Sequence, residues 1–347
     1  MKISTKILIV LFLLAGVTTY LICDSYFLAP ERLTTRKIEL ESEKISDSLD
    51  DMRIICFSDL DYGSFTDESR LNNLMQYIND LSPDVILFCG DIYDTGVIAD
   101  EKKDEIIINA FSSLNAQYGK FAVLGDRDCT TQAQKEAVSD ILYQSDFELI
   151  SNSSIQIHRN SSSYITLVGL ENEINGEQNI AQAYANVSRS AYVLAFCHTP
   201  DTAVQVPADL TDRFIAGHTH GGQAFWYFGS LITVDEGSYL RGTHDISGMF
   251  TLDITNGTGT TVKDVRFLAN AEVVLYILKS EEIVEETASP VSEDTEEGST
   301  AVPENIEEEQ EDTGDHSAEA SDPIEEENDA SQETETDESI ESENSEE

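Results

Sequence analysis

The stretch Phe57-Ser58-Asp59-Leu60-Asp61-Tyr62-Gly63 closes a largely apolar run that begins at Met52. It places two aspartates, one residue apart, where a buried strand should end. Three readings compete. Asp and Gly are common turn residues, so the pair can be a plain strand-end turn. Two carboxylates in a D-x-D arrangement can also be a nucleophile and its acid. The third reading is a metal site in which one ligand type has replaced another. The pair alone does not separate these, and the rest of the chain must.

The chain has 347 residues and a formal net charge of −47, which is unevenly spread. Residues 281–347 hold 29 Asp or Glu and no Lys or Arg, leaving 38 acidic against 20 basic residues before them. Aromatic and β-branched residues also thin out there. Such a segment offers too little apolar surface to offset the entropy of ordering, so 281–347 is expected to be a disordered acidic tail. The body is acidic as well. That argues against a nucleic-acid partner, since backbone phosphates need a basic surface.

At the other end, Lys2 and Lys6 precede a charge-free run, Ile7 to Cys23. Its length is at the short end for a membrane span. No A-x-A cleavage site follows, which favours an uncleaved signal-anchor over residues 1–25, with a cleaved signal and a buried core helix as the alternatives. Lysines before the span place the N-terminus in the cytoplasm and the body outside. The expectation is a single-pass protein of the cell membrane with an extracytoplasmic domain. Residues 26–50 read as a polar stalk and 51–280 as the folded domain. The five cysteines, Cys23, Cys56, Cys89, Cys129 and Cys197, form no C-x-x-C and read mainly as small buried hydrophobes.

Within the domain, residues 52–58, 84–88 and 120–124 read as buried strands. Helical stripes alternate with them, through Leu71, Leu74, Met75 and Ile78 (with Thr66 as cap), through Ile107, Ala110, Phe111 and Leu114, and over 131–144. The alternation predicts a parallel sheet covered by helices. The second half is richer in strands, expected at 154–158, 164–169, 191–197, 213–216, 248–254, 262–267 and 272–278, and implies a second sheet.

Metal-capable residues recur just past these strands. They are Asp59 and Asp61, then Gly90-Asp91-Ile92-Tyr93-Asp94, then Gly125-Asp126-Arg127-Asp128, then His198, then Gly217-His218-Thr219-His220-Gly221-Gly222. Strand ends at one sheet edge converge on a shared crevice. Each motif alone is weak, but five in register point to one site. Carboxylates and imidazoles together suit divalent Mn, Mg, Fe or Zn.

In the order and spacing of these motifs the chain resembles the calcineurin-like metallophosphoesterases, over about residues 52–278. GDIYD at 90–94 and GHTHGG at 217–222 match the family pattern fully, and Gln223 extends the match toward a membrane-associated bacterial subgroup. The resemblance implies a four-layer α/β/β/α sandwich of two mixed sheets. It implies two divalent ions, one held by Asp59, Asp61 and His220, the other by Asp126, His198 and His218, with Asp91 bridging and Asp94 orienting a ligand. It also implies hydrolysis of a phosphoester by a hydroxide held between the ions.

Three positions depart from the family pattern. Asp61 stands for a ligand His, Asp126 for a ligand Asn, and Arg127 for the His that assists the leaving group. The added carboxylates favour Mn or Mg over Zn. Arg stays protonated and cannot act as a general acid near neutrality, but it can bind phosphate oxygens. Asp128 is expected either to hold Arg127 in place or to tie it up in a salt bridge. The substrate is then an ester whose leaving group needs little protonation, a pyrophosphate or an activated phosphodiester, with a lipid-linked or cell-envelope phosphate suggested by the anchor. The departures equally fit a catalytically weak binding or sensing protein. Phe225-Trp226-Tyr227-Phe228 reads either as loop packing or as an apolar wall beside the site. With these motifs in view the nucleophile reading of Asp59 lapses, because Gly63 and Ser64 follow where that arrangement needs Thr or Val.

Overall fold

Alternation within single strands sorts the chain into layers. In the strand Arg53–Phe57, Ile54 and Cys56 join one core while Ile55 and Phe57 join another, and all four are fully buried. The computed structural model describes residues 4–227, 229–232 and 237–281. The first half runs α1 (Thr5–Cys23), β1 (Leu33–Ser42), β2 (Arg53–Phe57), α2 (Glu68–Asp80), β3 (Val85–Phe88), α3 (Glu101–Ser112), β4 (Lys120–Ala122), α4 (Gln132–Gln144) and β5 (Phe147–Leu149). The second runs β6 (Ser153–His158), β7 (Tyr164–Gly169), α5 (Ile180–Ala183), β8 (Tyr192–Phe196), β9 (Arg213–Ala216), β10 (Phe225–Trp226), β11 (Gly229–Ser230), β12 (Gly242–Ile246), β13 (Phe250–Ile254) and β14 (Ala271–Ser280).

Two mixed sheets result, with strand orders β1-β14-β2-β3-β4-β5 and β12-β13-β9-β8-β7-β6 among the described residues. β2 to β5 are parallel, as the β-α-β alternation requires, and β14 enters antiparallel to β2. Helices α2, α3 and α4 pack on the outer face of the first sheet, where Leu71, Ile78, Phe111 and Val138 meet Ile55, Phe57 and Phe88. The sheets face each other through Cys56, Leu87, Leu194, Phe196 and Tyr276. The far face of the second sheet is covered by α5 and by a short 3-10 turn at Pro200–Val204, through Ala183 and Ala203. The four-layer α/β/β/α sandwich is therefore present.

The structure corrects several expectations. Residues 26–50 are not a stalk. β1 runs parallel to β14 over ten residues, Leu33 to Ser42, and forms an edge of the first sheet. Its alternation is masked by charged residues on the outer face, but Leu40 is buried between the sheets. Residues 262–267 form no strand; Val262 has a positive φ of 62°, and Arg266 turns inward, fully buried, to bind backbone carbonyls. A ladder would need those residues extended and their side chains alternating. The cap of α2 is Asp67, which accepts from the Arg70 amide, rather than Thr66. The acidic tail beyond residue 281 lies outside the described residues. The cysteines are free, with Cys56, Cys89 and Cys197 buried as small hydrophobes.

α1 is long and apolar enough to cross a membrane, and its side chains are exposed throughout. Trp226 stacks on Phe267 at 5.6 Å and lines a cavity of about 470 Å³ together with Leu21 and Ile22 of α1. That cavity includes none of the motif residues, so Trp226 forms a wall toward α1.

Because β1 belongs to the sheet, Leu40→Ala should destabilise the domain by about 2–4 kcal/mol, the usual cost of an emptied core position. Lys37→Ala, on the exposed face of the same strand, should change stability by less than about 0.5 kcal/mol. Urea denaturation checks this, and a stalk would show no difference between the two.

Candidate metal centre

The site lies where β2, β3 and β4 of one sheet and β8 and β9 of the other end together. The loop after β2 carries Asp59 and Asp61, that after β3 carries Asp91 and Asp94, and that after β4 carries Asp126 to Asp128. His198 follows β8, and His218 and His220 follow β9. Asp59, Asp61, Asp91, His218 and His220 all have positive φ, between 49° and 72°. Non-glycine residues rarely adopt this region, and holding one there costs about 1–3 kcal/mol. This backbone turns each side chain inward two to four residues past the end of its strand. Glycines make room for it. A Cβ on Gly125 would lie 2.0 Å from Asp91 Oδ1, and one on Gly217 would lie 2.1 Å from Ser58 Oγ.

Four side chains converge most tightly. One donor atom each from Asp91, Asp126, His198 and His218 lies within 4.8 Å of the others. His198 Nε2 is 3.0 Å and His218 Nδ1 2.9 Å from Asp126 Oδ1, and the two nitrogens are 3.1 Å apart. His198 Nδ1 donates to the Cys89 carbonyl at 2.7 Å, which fixes the tautomer and turns the Nε2 lone pair toward the carboxylates. Asp91 Oδ2 and Asp126 Oδ1 are buried without a hydrogen-bond partner. Lone pairs of nitrogen and oxygen aimed at one point repel unless a cation lies between them. The donor set therefore fits a divalent ion. Burial acts to lower the His198 imidazole, yet Asp91 and Asp126 hold it well above its ordinary value, a second sign that this point favours positive charge.

Asp59, Asp61 and His220 lie beside this group in a different arrangement. Asp59 accepts from the His218 amide through both oxygens, at 3.0 and 3.1 Å. His220 Nε2 is 3.7 Å from Asp59 Oδ1 and 3.4 Å from Asp61 Oδ2. Burial, and then Arg127, push the His220 imidazole well below its ordinary value, so it is neutral. Arg127 enters among these residues. Its Nη1 pairs with Asp61 Oδ1, its Nε lies 3.4 Å from Asp91 Oδ2, and Asp94 Oδ1 is 3.7 Å away. Burial works against the charge, but Asp61 and Asp91 hold the guanidinium protonated and above its usual range.

The expected partner of Arg127 is thus the wrong aspartate. Asp128 does not touch the guanidinium. It is fully buried and accepts three backbone N–H groups, from Asp91, Gly125 and Ile92, at 2.8 to 2.9 Å. Burial and the charge of Asp91 push its carboxyl up to about 6, with the three amides pulling the other way. Asp128 is a brace between the loops after β3 and β4. Its position beside Arg127 in sequence suggested an ion pair, but the turn sends the two side chains apart. Asp94 accepts from Thr261 Oγ1 at 2.6 Å.

The residue that sequence reasoning missed is Arg266. It donates to the carbonyls of Asn256, Ala269, Gly257 and Gly259. The amides of Thr258 and Gly259 in that loop donate to the Ser58 and Asp59 carbonyls, at 3.0 and 2.7 Å. Arg266 thereby holds the backbone that holds Asp59. The available signal was an arginine in a run otherwise assigned to a half-buried strand.

Comparison with known proteins gives the same family at several levels. The family model described as calcineurin-like phosphoesterase matches residues 52–222. An uncharacterized metallophosphoesterase of Bacillus subtilis, YkuE, is 25% identical over 256 residues, 73% of this chain and 88% of the relative. A transmembrane protein with metallophosphoesterase domain from Danio rerio is 23% identical over 253 residues, 70% of this chain but 56% of that protein. The UDP-2,3-diacylglucosamine pyrophosphatase LpxG of Chlamydia muridarum is 22% identical over 242 residues, 56% of this chain and 71% of the relative.

If Asp128 is a brace, Asp128→Asn should destabilise the protein nearly as much as Asp128→Ala. The amide would turn an NH₂ against backbone donors, leaving at least one of them unpaired at a cost of about 1–3 kcal/mol. Chemical denaturation of both variants beside Asp128→Glu checks this, and an unchanged Asp128→Asn midpoint would contradict it.

Proposed function

Since the chain belongs to the calcineurin-like phosphoesterase family, we propose that it is a membrane-anchored, metal-dependent phosphoesterase acting on a pyrophosphate or an activated phosphodiester. The observation that carries this reading is the convergence of Asp91, Asp126, His198 and His218 on one point with unpaired buried oxygens. An ion held there would polarise the phosphoryl oxygens and lower the pKa of a water. Mn or Mg suits the oxygen-rich donor set best.

The chain's own residues set the rest. Arg127 is held charged, so it offers no proton to a leaving group. It faces the site as a fixed cation, able to stabilise charge that develops on the phosphoryl oxygens. His220 is neutral and buried, out of reach of solvent protons. Substrates whose leaving group departs as a stable anion suit such a site. Similarity to a pyrophosphatase that acts on a diacylated nucleotide sugar supports a lipid-linked or cell-envelope substrate. The apolar helix α1, with Lys2 and Lys6 before it, supports an anchor with the domain on the extracytoplasmic side.

One observation favours a second reading. The Asp61–Arg127 pair fills part of the expected ligand set, which suits a phosphate-binding protein with weak turnover.

Positioned acid catalysis contributes about 10²–10⁴-fold. Without it, alkyl phosphodiesters should be hydrolysed at least about 10²-fold more slowly than aryl phosphodiesters or pyrophosphates in the presence of Mn²⁺. Equal rates on alkyl and aryl esters would sink the substrate assignment. His198→Ala should abolish Mn²⁺-dependent turnover of every substrate in the panel, and retained turnover would place the chemistry elsewhere.

A further inference from the structure

We infer that the centre binds one divalent ion, not two, and that the Arg127 guanidinium is the built-in cation at the position of the other. The two clearest departures of the ligand set, Asp61 and Arg127, are each other's partners. An aspartate replaces an imidazole where an arginine replaces another, and the pair forms a buried ion pair with Arg127 12% and Asp61 0% exposed. Neither substitution alone would place a compensated charge there.

Asp91 shows how the arrangement works. Its Oδ1 accepts from the Arg127 amide at 3.1 Å. Its Oδ2 lies 3.4 Å from His198 Nε2 on one side and 3.4 Å from Arg127 Nε on the other. The carboxylate thus bridges the four-donor group and a guanidinium. Among the described residues, the tight convergence of donors includes Asp91, Asp126, His198 and His218 and omits Asp59, Asp61 and His220. Of those three, Asp59 accepts the His218 amide through both oxygens, while His220 Nε2 and Asp61 Oδ2, also buried without a hydrogen-bond partner, face each other at 3.4 Å with the Arg127 guanidinium on the other oxygen of Asp61. A divalent ion added beside Arg127 would be repelled by a charge that cannot be titrated away and that Asp61, Asp91 and Asp94 hold in place. The balance of charge agrees. Asp61 and Asp126 each bring a carboxylate, one neutralised by Arg127 and one facing His198 and His218.

The inference deepens the phosphoesterase reading but depends on it only for the substrate. The test uses the full chain in detergent, saturated with Mn²⁺ and freed of excess by gel filtration. Metal per chain is measured by mass spectrometry, and the Mn²⁺ environment by electron paramagnetic resonance. Wild type should carry one ion with the six-line spectrum of an isolated Mn²⁺. The double variant Asp61→His with Arg127→His should carry two, with a spin-coupled spectrum. Arg127→Ala, which removes the cation and keeps every donor, should gain a second ion of at least tenfold weaker affinity than the first. Circular dichroism confirms that each variant is folded. Two ions in wild type, a spin-coupled wild-type spectrum, or a folded double variant that still holds one ion would overturn the inference. Phosphoester hydrolysis on the same samples keeps the two claims apart. One ion without hydrolysis supports the inference and defeats the activity, whereas two ions with hydrolysis does the reverse.

Discussion

Four carboxylates gathered at one edge of the sandwich are the constraint from which the rest of this molecule follows. Asp59, Asp61 and Asp91 are fully buried, and Asp126 stands at the mouth of the same crevice. Buried charge without compensation costs several kcal/mol per group, roughly as much as a domain's whole margin of stability for two or three such groups. Cations beside the carboxylates offset that cost. The chain supplies Arg127 and, one layer further back, Arg266. The convergence of His198 and His218 on Asp91 and Asp126 supplies a place for another.

Holding acidic side chains this close requires the backbone to be held first. The five non-glycine residues with positive φ among the motif positions are strained conformations that the surrounding structure must fix. Asp128 does so from one side by gathering three amides of the loops after β3 and β4. Arg266 does so from the other, through four carbonyls of the loops around Asn256 and Ala269, which in turn bond to the backbone of Ser58 and Asp59. Both are charged groups that act on backbone rather than on substrate. The glycines serve the same end, because Gly125 and Gly217 sit where any side chain would collide with Asp91 or with Ser58 and Asp59.

Much of the fold was legible because apolar periodicity is a local signal. Leu71, Leu74, Met75 and Ile78 mark the buried face of α2, and Val85 to Phe88 mark a strand buried on both faces. β1 escaped because an edge strand buries one side chain in several, and its exposed face reads as polar linker until β14 is seen beside it, more than two hundred residues away in sequence. Residues 262–267 failed in the opposite sense. Val-x-x-Val-x-Phe has the look of a strand, and the buried arginine that breaks it answers to carbonyls that only the tertiary fold brings near. The site divides in the same way. The residues that gather were readable from motif order, since strand ends in register share an edge. Which residues pair was not readable. Arg127 is adjacent in sequence to Asp126 and Asp128, but its guanidinium bonds to Asp61 and lies near Asp91 and Asp94 instead, because its turn directs it across the site.

The central claim is that this crevice balances its carboxylates with one metal ion and one guanidinium. Anomalous diffraction from crystals grown in Mn²⁺, collected at the Mn absorption edge, tests it most directly. The account predicts a single anomalous peak among Asp91, Asp126, His198 and His218, with Arg127 still paired to Asp61. A second peak among Asp59, Asp61 and His220, with Arg127 displaced toward solvent, would contradict it.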